Sequence, residues 1–489
     1  MNLAGFQKYM TSARVNIFLS LLLFVVAIVS YAQLIPDFPI NRNEPTALLS
    51  AFGNLSHFTL NHAARLPIDH LPGYFLLLKG YIWLFGASCL SVKFLSAILV
   101  SLTAVCVFIW SNKVQGKVCL SFVLSLLFIF SHKVIIDAGA SVQPYALFLL
   151  LTFLSFILFE KVRSRNAKAK EFLLYFIVHV LGCLSFYFYY IIAFSQLVYL
   201  FIFYRKALAS HRVLSLVGFC SVIGLFAHKT PEILSYRMYG RMPLTYPVEQ
   251  TVAELKRTLF GEDILFHSVP FTDYVVLGIF AVGVFGSFSK FKKQEFYYSS
   301  LFLLSLAFIF IFRHVLGKDE IVFRYVIYIV PIFWYFVLKP ISRTSNFLKY
   351  PIYITLVLCF LHGWHLTFIK GNYGSRVFQD QSQFIHSVHS RLSANDSVVY
   401  LLDLEVDYYF AATYRATTGE RMKWRDFRGI KPVSGQTYYL ATVFSEKPTL
   451  ALKNELEKRR VDYEILWQES LGLKGWFPEG FVFAEVLVK

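Results

Sequence analysis

Runs of about 20 mostly apolar residues constrain this chain more than any other feature, because a helix of that length crosses the ~30 Å hydrocarbon core of a bilayer. About eleven such runs follow one another in the first 369 residues, at 15–33, 90–110, 118–132, 143–159, 172–187, 188–204, 213–228, 273–289, 296–312, 323–338 and 351–368. Backbone inside lipid must satisfy its own N–H and C=O groups, so the runs predict an α-helical polytopic membrane protein with about 11 transmembrane helices. The division of 172–204 into two spans rests on the polar aromatic cluster Tyr187, Tyr189 and Tyr190. The first run follows Lys8 and Arg14 and has no small-residue cleavage site before Asp37, so it reads as a retained anchor.

Composition agrees and adds a boundary. The 489 residues are 56% hydrophobic and 16% charged, against roughly 25% charged in ordinary soluble domains, which argues against a soluble enzyme or a disordered, collagenous or disulfide-rich chain. Of the 47 Lys and Arg and 30 Asp and Glu, 31 fall in the last 120 residues. The chain therefore divides into a membrane domain, 1–369, and a soluble domain, 370–489. In the second part, helical spacing at 378–392 and 448–460 alternates with strand-like pieces at 397–402, 437–444, 463–467 and 481–488, the pattern of a small α/β domain. It holds no glycine-rich phosphate loop, nucleophile elbow or metal-ligand spacing, so its expected work is to cap a site or recognise an acceptor.

Lys and Arg accumulate in loops on the retained side of a membrane. With the N-terminus inside, the inner loops hold 18 basic and 3 acidic residues, while the outer loops are nearly balanced. This gives a cytoplasmic N-terminus and an extracytoplasmic C-terminal domain. It also explains most of the net charge of +17 without nucleic acid as a partner. All six cysteines lie in or beside apolar runs, without CxxC or Cys/His spacing, and read as small buried hydrophobes.

Two outer loops are long, 34–89 and 229–272, so the chemistry is expected on that side. In the first, Asn43, Pro45 and the apolar residues at 48, 49, 52 and 55 suggest an interfacial amphipathic helix with Glu44 at its start. Further on, Asp69 and His70 precede an apolar stretch of about 14 residues, too short to span and better read as re-entrant or interfacial. Lys79 lies within it, where a cation has few solvated options.

The run from Asp69 to Leu99 resembles the "HPPLYYLLLxLWxxLFGxSxxxxRLxSxL" signature of membrane glycosyltransferases with the GT-C fold, in the branch of protein O-mannosyltransferases (family 39) and bacterial lipid A sugar transferases. His70, Pro72, Tyr74, Phe85, Gly86, Ser88 and Ser96 match it, and Lys93 stands where Arg is usual. Residues 140–150 resemble the family's "SxEARPYAL" motif, Phe186 to Tyr190 its Tyr-rich segment, and 323–331 its late "RYLLPLLP" span. Two departures stand out. Ser141 and Gln143 replace the motif's Glu and Arg, whose ion pairing is then lost or moved to Lys133 and Asp137. Asn43-Glu44 stands in place of the first loop's paired acids, which puts a metal site there in doubt.

The resemblance implies transfer of a sugar from a polyprenyl-phosphate donor to a glycan, lipid or protein acceptor, on the outer face of a bacterial cytoplasmic membrane. Such a reaction needs a carboxylate base, cations for the leaving phosphate and an apolar groove, and attack assisted by a general base inverts the anomeric centre. Glu44 is the first candidate for the base and Asp69 the second; their structural alternatives are a helix-dipole partner and an N-cap. Arg65, His70, Arg237, Arg241 and Arg324 are the candidates for the lipid phosphate, with interfacial snorkelling the alternative for Arg324 and a solvated loop face for Arg237 and Arg241. Tyr145, Tyr189 and Tyr190 are candidates for the sugar or acceptor, against an ordinary interfacial aromatic belt. No cofactor or metal ligand set is expected. A transporter or lipid flippase and an inactive glycolipid-binding relative are the competing readings; the first is disfavoured because no internal repeat is evident.

Overall fold

A computed structural model describes residues 3–35, 72–86, 88–130, 132–164, 167–235, 248–260, 272–289, 293–315, 323–341, 354, 375–393, 399–401, 414, 418, 424–426, 433–444, 456–457, 462–472 and 480–489. The membrane region is a bundle of α1 (Leu3–Leu34), α2 (Pro72–Phe85), α3 (Cys89–Gln115), α4 (Val118–Phe130), α5 (Lys133–Ala140), α6 (Tyr145–Val162) and α7 (Ala169–Ser185). It continues with α8 (Tyr189–Phe203), α9 (Arg205–Ser210), α10 (Arg212–Ser235), α11 (Val248–Phe260), α12 (Thr272–Ser289), α13 (Lys293–Phe310) and α14 (Ile329–Ile341). A π turn, Ile311–Val315, extends α13, and a 3-10 turn, Phe323–Val326, precedes α14.

Helices cover ten of the eleven apolar runs, and the last run, 351–368, lies outside the described residues. Among the described residues, Ala13–Leu34, Leu90–Gln115 and Tyr145–Val162 are each long and apolar enough to cross a bilayer. Val118–Phe130 and Val134–Ala140, bent by 71° at their junction, make a fourth if they are one span. The stretch after 132, between two of the apolar runs, is thus a helix turned sharply from α4. α7 ends at Ser185 and α8 begins at Tyr189, so the break expected at the tyrosine cluster is present.

Lipid offers no hydrophobic drive for helix association, so close packing and internal hydrogen bonds must supply it. Serine and threonine hydroxyls fold back on their own helices, as in Ser101 to the Ala97 carbonyl at 2.7 Å and Thr152 to the Phe148 carbonyl at 2.8 Å. Between helices, Gln196 Nε2 donates to Ser155 Oγ at 3.0 Å and Asn112 Nδ2 to Asn16 Oδ1 at 3.3 Å. Trp110 lies among Phe153, Phe156, Tyr298 and Tyr335, with ring centroids 5.1–5.8 Å away. Among the described cysteine side chains Cys106 and Cys183 are buried, as expected, whereas Cys119 and Cys220 are exposed on the bundle surface.

Alternating helix directions give the bundle two chemically different ends. At one lie Lys113, Lys117, Lys161, Arg163, Lys168, Arg205 and Arg212, the residues counted to the inner side. There Glu160 Oε2 meets Arg163 at 2.5 Å, Tyr298 donates to Glu160 Oε1 at 3.0 Å, and Lys339 pairs with Glu295 between α13 and α14. The other end gathers the α4–α5 bend, the starts of α6 and α8, the end of α7, the π turn and the 3-10 turn.

In the C-terminal region, α15 (Ser375–Ser393) accompanies a five-stranded sheet of order β2-β1-β3-β5-β4, with β1 Val399–Leu401, β2 Trp424–Asp426, β3 Thr437–Phe444, β4 Tyr463–Gly472 and β5 Gly480–Val488. β1 pairs parallel with β2 and β3, while β5 lies antiparallel between β3 and β4. Phe384, Ile385, Val388 and Leu392 form the buried stripe of α15. Arg391 stands over the Trp467 ring and 3.6 Å from Glu485, tying that helix to β4 and β5.

Candidate functional site

The second end is built from four segments far apart in sequence. α2 begins at Pro72, two residues after His70, and its start rests on the last turn of α7. A Cβ on Gly73 would lie 2.7 Å from Ser185 Oγ and 2.9 Å from the Leu184 carbonyl oxygen, so the absence of a side chain sets that approach. The α7–α8 turn then carries Phe186 and Phe188 against the start of α6 and the 3-10 turn. Tyr145 packs on Phe186 at 5.5 Å and faces Tyr325 at 6.2 Å. Phe188 stacks on Tyr325 at 4.6 Å with the rings 18° apart. Tyr325 is the neighbour of Arg324, so this aromatic cluster fixes the backbone from which the arginine projects.

α5 lies beside this cluster. Tyr31, fully buried near the end of α1, has its hydroxyl 3.2 Å from the Ile129 carbonyl and 3.4 Å from that of Ile135, one on each arm of the bend. His132, at the corner, has Nδ1 3.3 Å from the Leu127 carbonyl. The Tyr31 hydroxyl thus reaches the Ile129 carbonyl, which the end of α4 leaves without a helical partner. Ser141 Oγ donates to the Asp137 carbonyl at 2.5 Å, Gln143 is buried and Asp137 is half-buried. The replacements seen in that motif therefore sit in protein interior, with Ser141 bonded to the backbone of α5.

Glu44, Arg65, Asp69, His70, Arg237 and Arg241 lie outside the described residues, and so does the helix expected near Glu44. Of Arg324 the backbone is described, at the mouth of α14. Tyr145 belongs to the aromatic cluster. Tyr189 is fully buried against Phe148 and His179, with its hydroxyl 3.4 Å from the Leu151 carbonyl, and Gly182 leaves its ring room against α7. Tyr190 packs on Phe194 and Phe226 between α8 and α10. Both rings pack between helices, as that of Tyr145 does in the aromatic cluster.

Two buried cations at this end had no role assigned from sequence. Lys93, in the first turns of α3, is 0% exposed. Arg313, in the π turn, is 2% exposed and makes a 2.6 Å ion pair with Glu254 of α11. Their signal was available, since a charge inside or at the edge of an apolar run is costly and so demands a partner. Among the described residues, no group of three or more His, Cys, Asp or Glu gathers to hold a metal ion.

Neither a protein-family profile nor a curated protein sequence matches the chain. Solved structures do. The apo crystal structure of ArnT from Cupriavidus metallidurans superposes with a TM-score of 0.60 at 11% identity, covering 95% of this chain and 97% of that one. The same protein bound to undecaprenyl phosphate gives a TM-score of 0.57 at 11% identity over the same shares. The chain has a GT-C fold. In this GT-C bundle the four segments that carry the sequence resemblance, 72–99, 140–150, 186–190 and 323–331, each contribute to the end just described.

Proposed function

We propose that the protein is an inverting glycosyltransferase that moves a sugar from a polyprenyl-phosphate carrier to a glycan, lipid or protein acceptor on the outer face of the bacterial cytoplasmic membrane. The reading is carried by one observation: the segments that resemble glycosyltransferase motifs, scattered over some 260 residues, meet at one end of a bundle shaped like ArnT. The crystal structure of ArnT with undecaprenyl phosphate supports a lipid-phosphate partner.

In the proposed step the acceptor hydroxyl attacks the anomeric carbon, and Glu44 takes its proton, with Asp69 as second candidate. The bond from the anomeric carbon to the phosphate oxygen breaks, and the polyprenyl phosphate leaves with the electron pair. Arg324 holds that phosphate from the mouth of α14, and Arg65, His70, Arg237 and Arg241 are its candidate companions. Guanidinium groups suit the task because they present a permanent charge in a fork that matches two phosphate oxygens. Tyr145 lines the edge toward the sugar. The helices rather than the C-terminal region hold the reaction, and that region meets the acceptor.

Purified protein in liposomes, given labelled polyprenyl-phosphate sugars and an acceptor panel, tests this. Wild type is expected to transfer label, and Glu44→Gln to lose roughly 10²- to 10⁴-fold in rate while still binding donor. Undiminished transfer by the variant would remove Glu44 from the mechanism; no transfer from any donor would remove the function.

A further inference from the structure

α11 is the part of the second outer loop that folds back on the bundle. Thr251, Thr258 and Leu259 are buried on one face with Leu255 partly so, while Glu249, Gln250, Val252 and Ala253 face outward. Its first half is held by the π turn. Arg313 Nη1 lies 2.6 Å from Glu254 Oε2 and 3.4 Å from Thr251 Oγ1, and His314 Nε2 lies 3.1 Å from the same hydroxyl. Its second half is held by its backbone: the Leu259 carbonyl lies 2.9 Å from His132 Nε2 at the α4–α5 corner and accepts from Trp334 Nε1 of α14 at 3.2 Å. Between these two fastenings α11 packs against α14 and against the 3-10 turn that carries Arg324.

We infer that Glu254 and Arg313 are positioning residues: their ion pair clamps α11 over the 3-10 turn and so holds the backbone of Arg324, the candidate ligand of the donor phosphate. The inference rests on the function proposed above. Chemistry favours an ion pair for this work over an apolar contact. The Arg313 side chain is 0% exposed and that of Glu254 is 27% exposed, so a displaced α11 would strand a desolvated guanidinium, a costly state. A leucine in the same place would let the helix slide. The π turn has its own part, since its wider backbone breaks the helical register of α13 and turns Arg313 toward α11.

The experiment uses the full chain in lipid nanodiscs, with Glu254→Gln, the reversed pair Glu254→Arg with Arg313→Glu, and Glu249→Gln on the exposed face as control. Glu254→Gln is expected to raise the donor KM about tenfold with kcat within about twofold, a coupling of ordinary size. Amide exchange in 323–326 should quicken together with that in 248–260. The reversed pair should recover most of both effects, and Glu249→Gln should match wild type. The inference is overturned if 248–260 loosens while 323–326 does not, or if kcat falls and KM stays. Should the wild type transfer no sugar at all, the function fails, and the exchange arm still decides whether the pair governs the turn.

Discussion

The two ends of the bundle spend their charges differently. At the basic end, Glu160 pairs with Arg163 at the close of α6, and Glu295 with Lys339 across α13 and α14. At the opposite end the helices themselves are irregular: α4 and α5 meet at a 71° bend, α13 ends in a π turn, and a 3-10 turn precedes α14. Regular helices leave no backbone group seeking a partner except at their ends, so acids and bases there are free to neutralise one another and fasten the scaffold. Broken helices expose carbonyls and redirect side chains, which is how a membrane protein makes a polar place at the edge of an apolar solvent. The scaffold end is expected to govern stability and the irregular end turnover.

The largest effect that would break this comparison is catalytic. Arg324→Ala should cut kcat/KM for the donor by about 10²- to 10³-fold, the usual loss when one hydrogen-bond donor to an anionic group is removed, with the melting temperature in detergent unchanged. A variant that melts early instead would make Arg324 a scaffold residue. Next comes Lys339→Met at the basic end. It leaves Glu295 buried without its partner, which should cost about 3–5 kcal/mol of unfolding free energy, while the surviving folded protein transfers sugar at the wild-type rate. A fall in kcat for that folded fraction would show that the ends are coupled. The smallest effect sharpens the boundary. Gly73→Ala forces a Cβ against Ser185 and the Leu184 carbonyl and should cost about 1–3 kcal/mol as overpacking. Because the collision lies at the irregular end, Gly73→Ala is also expected to raise the donor KM, read from the same transfer assay.

Much of the membrane region was legible because a span announces itself by composition alone. The break at Tyr187, Tyr189 and Tyr190 was legible too. The α4–α5 bend was not, because its cause is tertiary: Tyr31, about a hundred residues away, supplies a hydroxyl to its carbonyls. α11 was hidden for a related reason. Its sequence is a modest amphipathic stretch in a polar loop, and its docking depends on Arg313, His132 and Trp334 from three other elements. In the C-terminal region the longer strands fall where alternation placed them, whereas the three-residue β2 is too short to show a period. Glu44, Asp69 and His70 rest on the sequence resemblance.

The corner between α4 and α5 also limits how a long-chain lipid can travel. The Ile129 carbonyl is met there by Tyr31, and His132 lies against that of Leu127, and an acyl chain wedged into that corner would take those partners away with nothing to offer in exchange. This flank is therefore closed to methylenes, and a substrate with a polyprenyl tail has to lay it along another side. The flank of α2 has the matching character: Leu76, Trp83, Leu84 and Phe85 stand exposed there, on a helix that stops short of crossing.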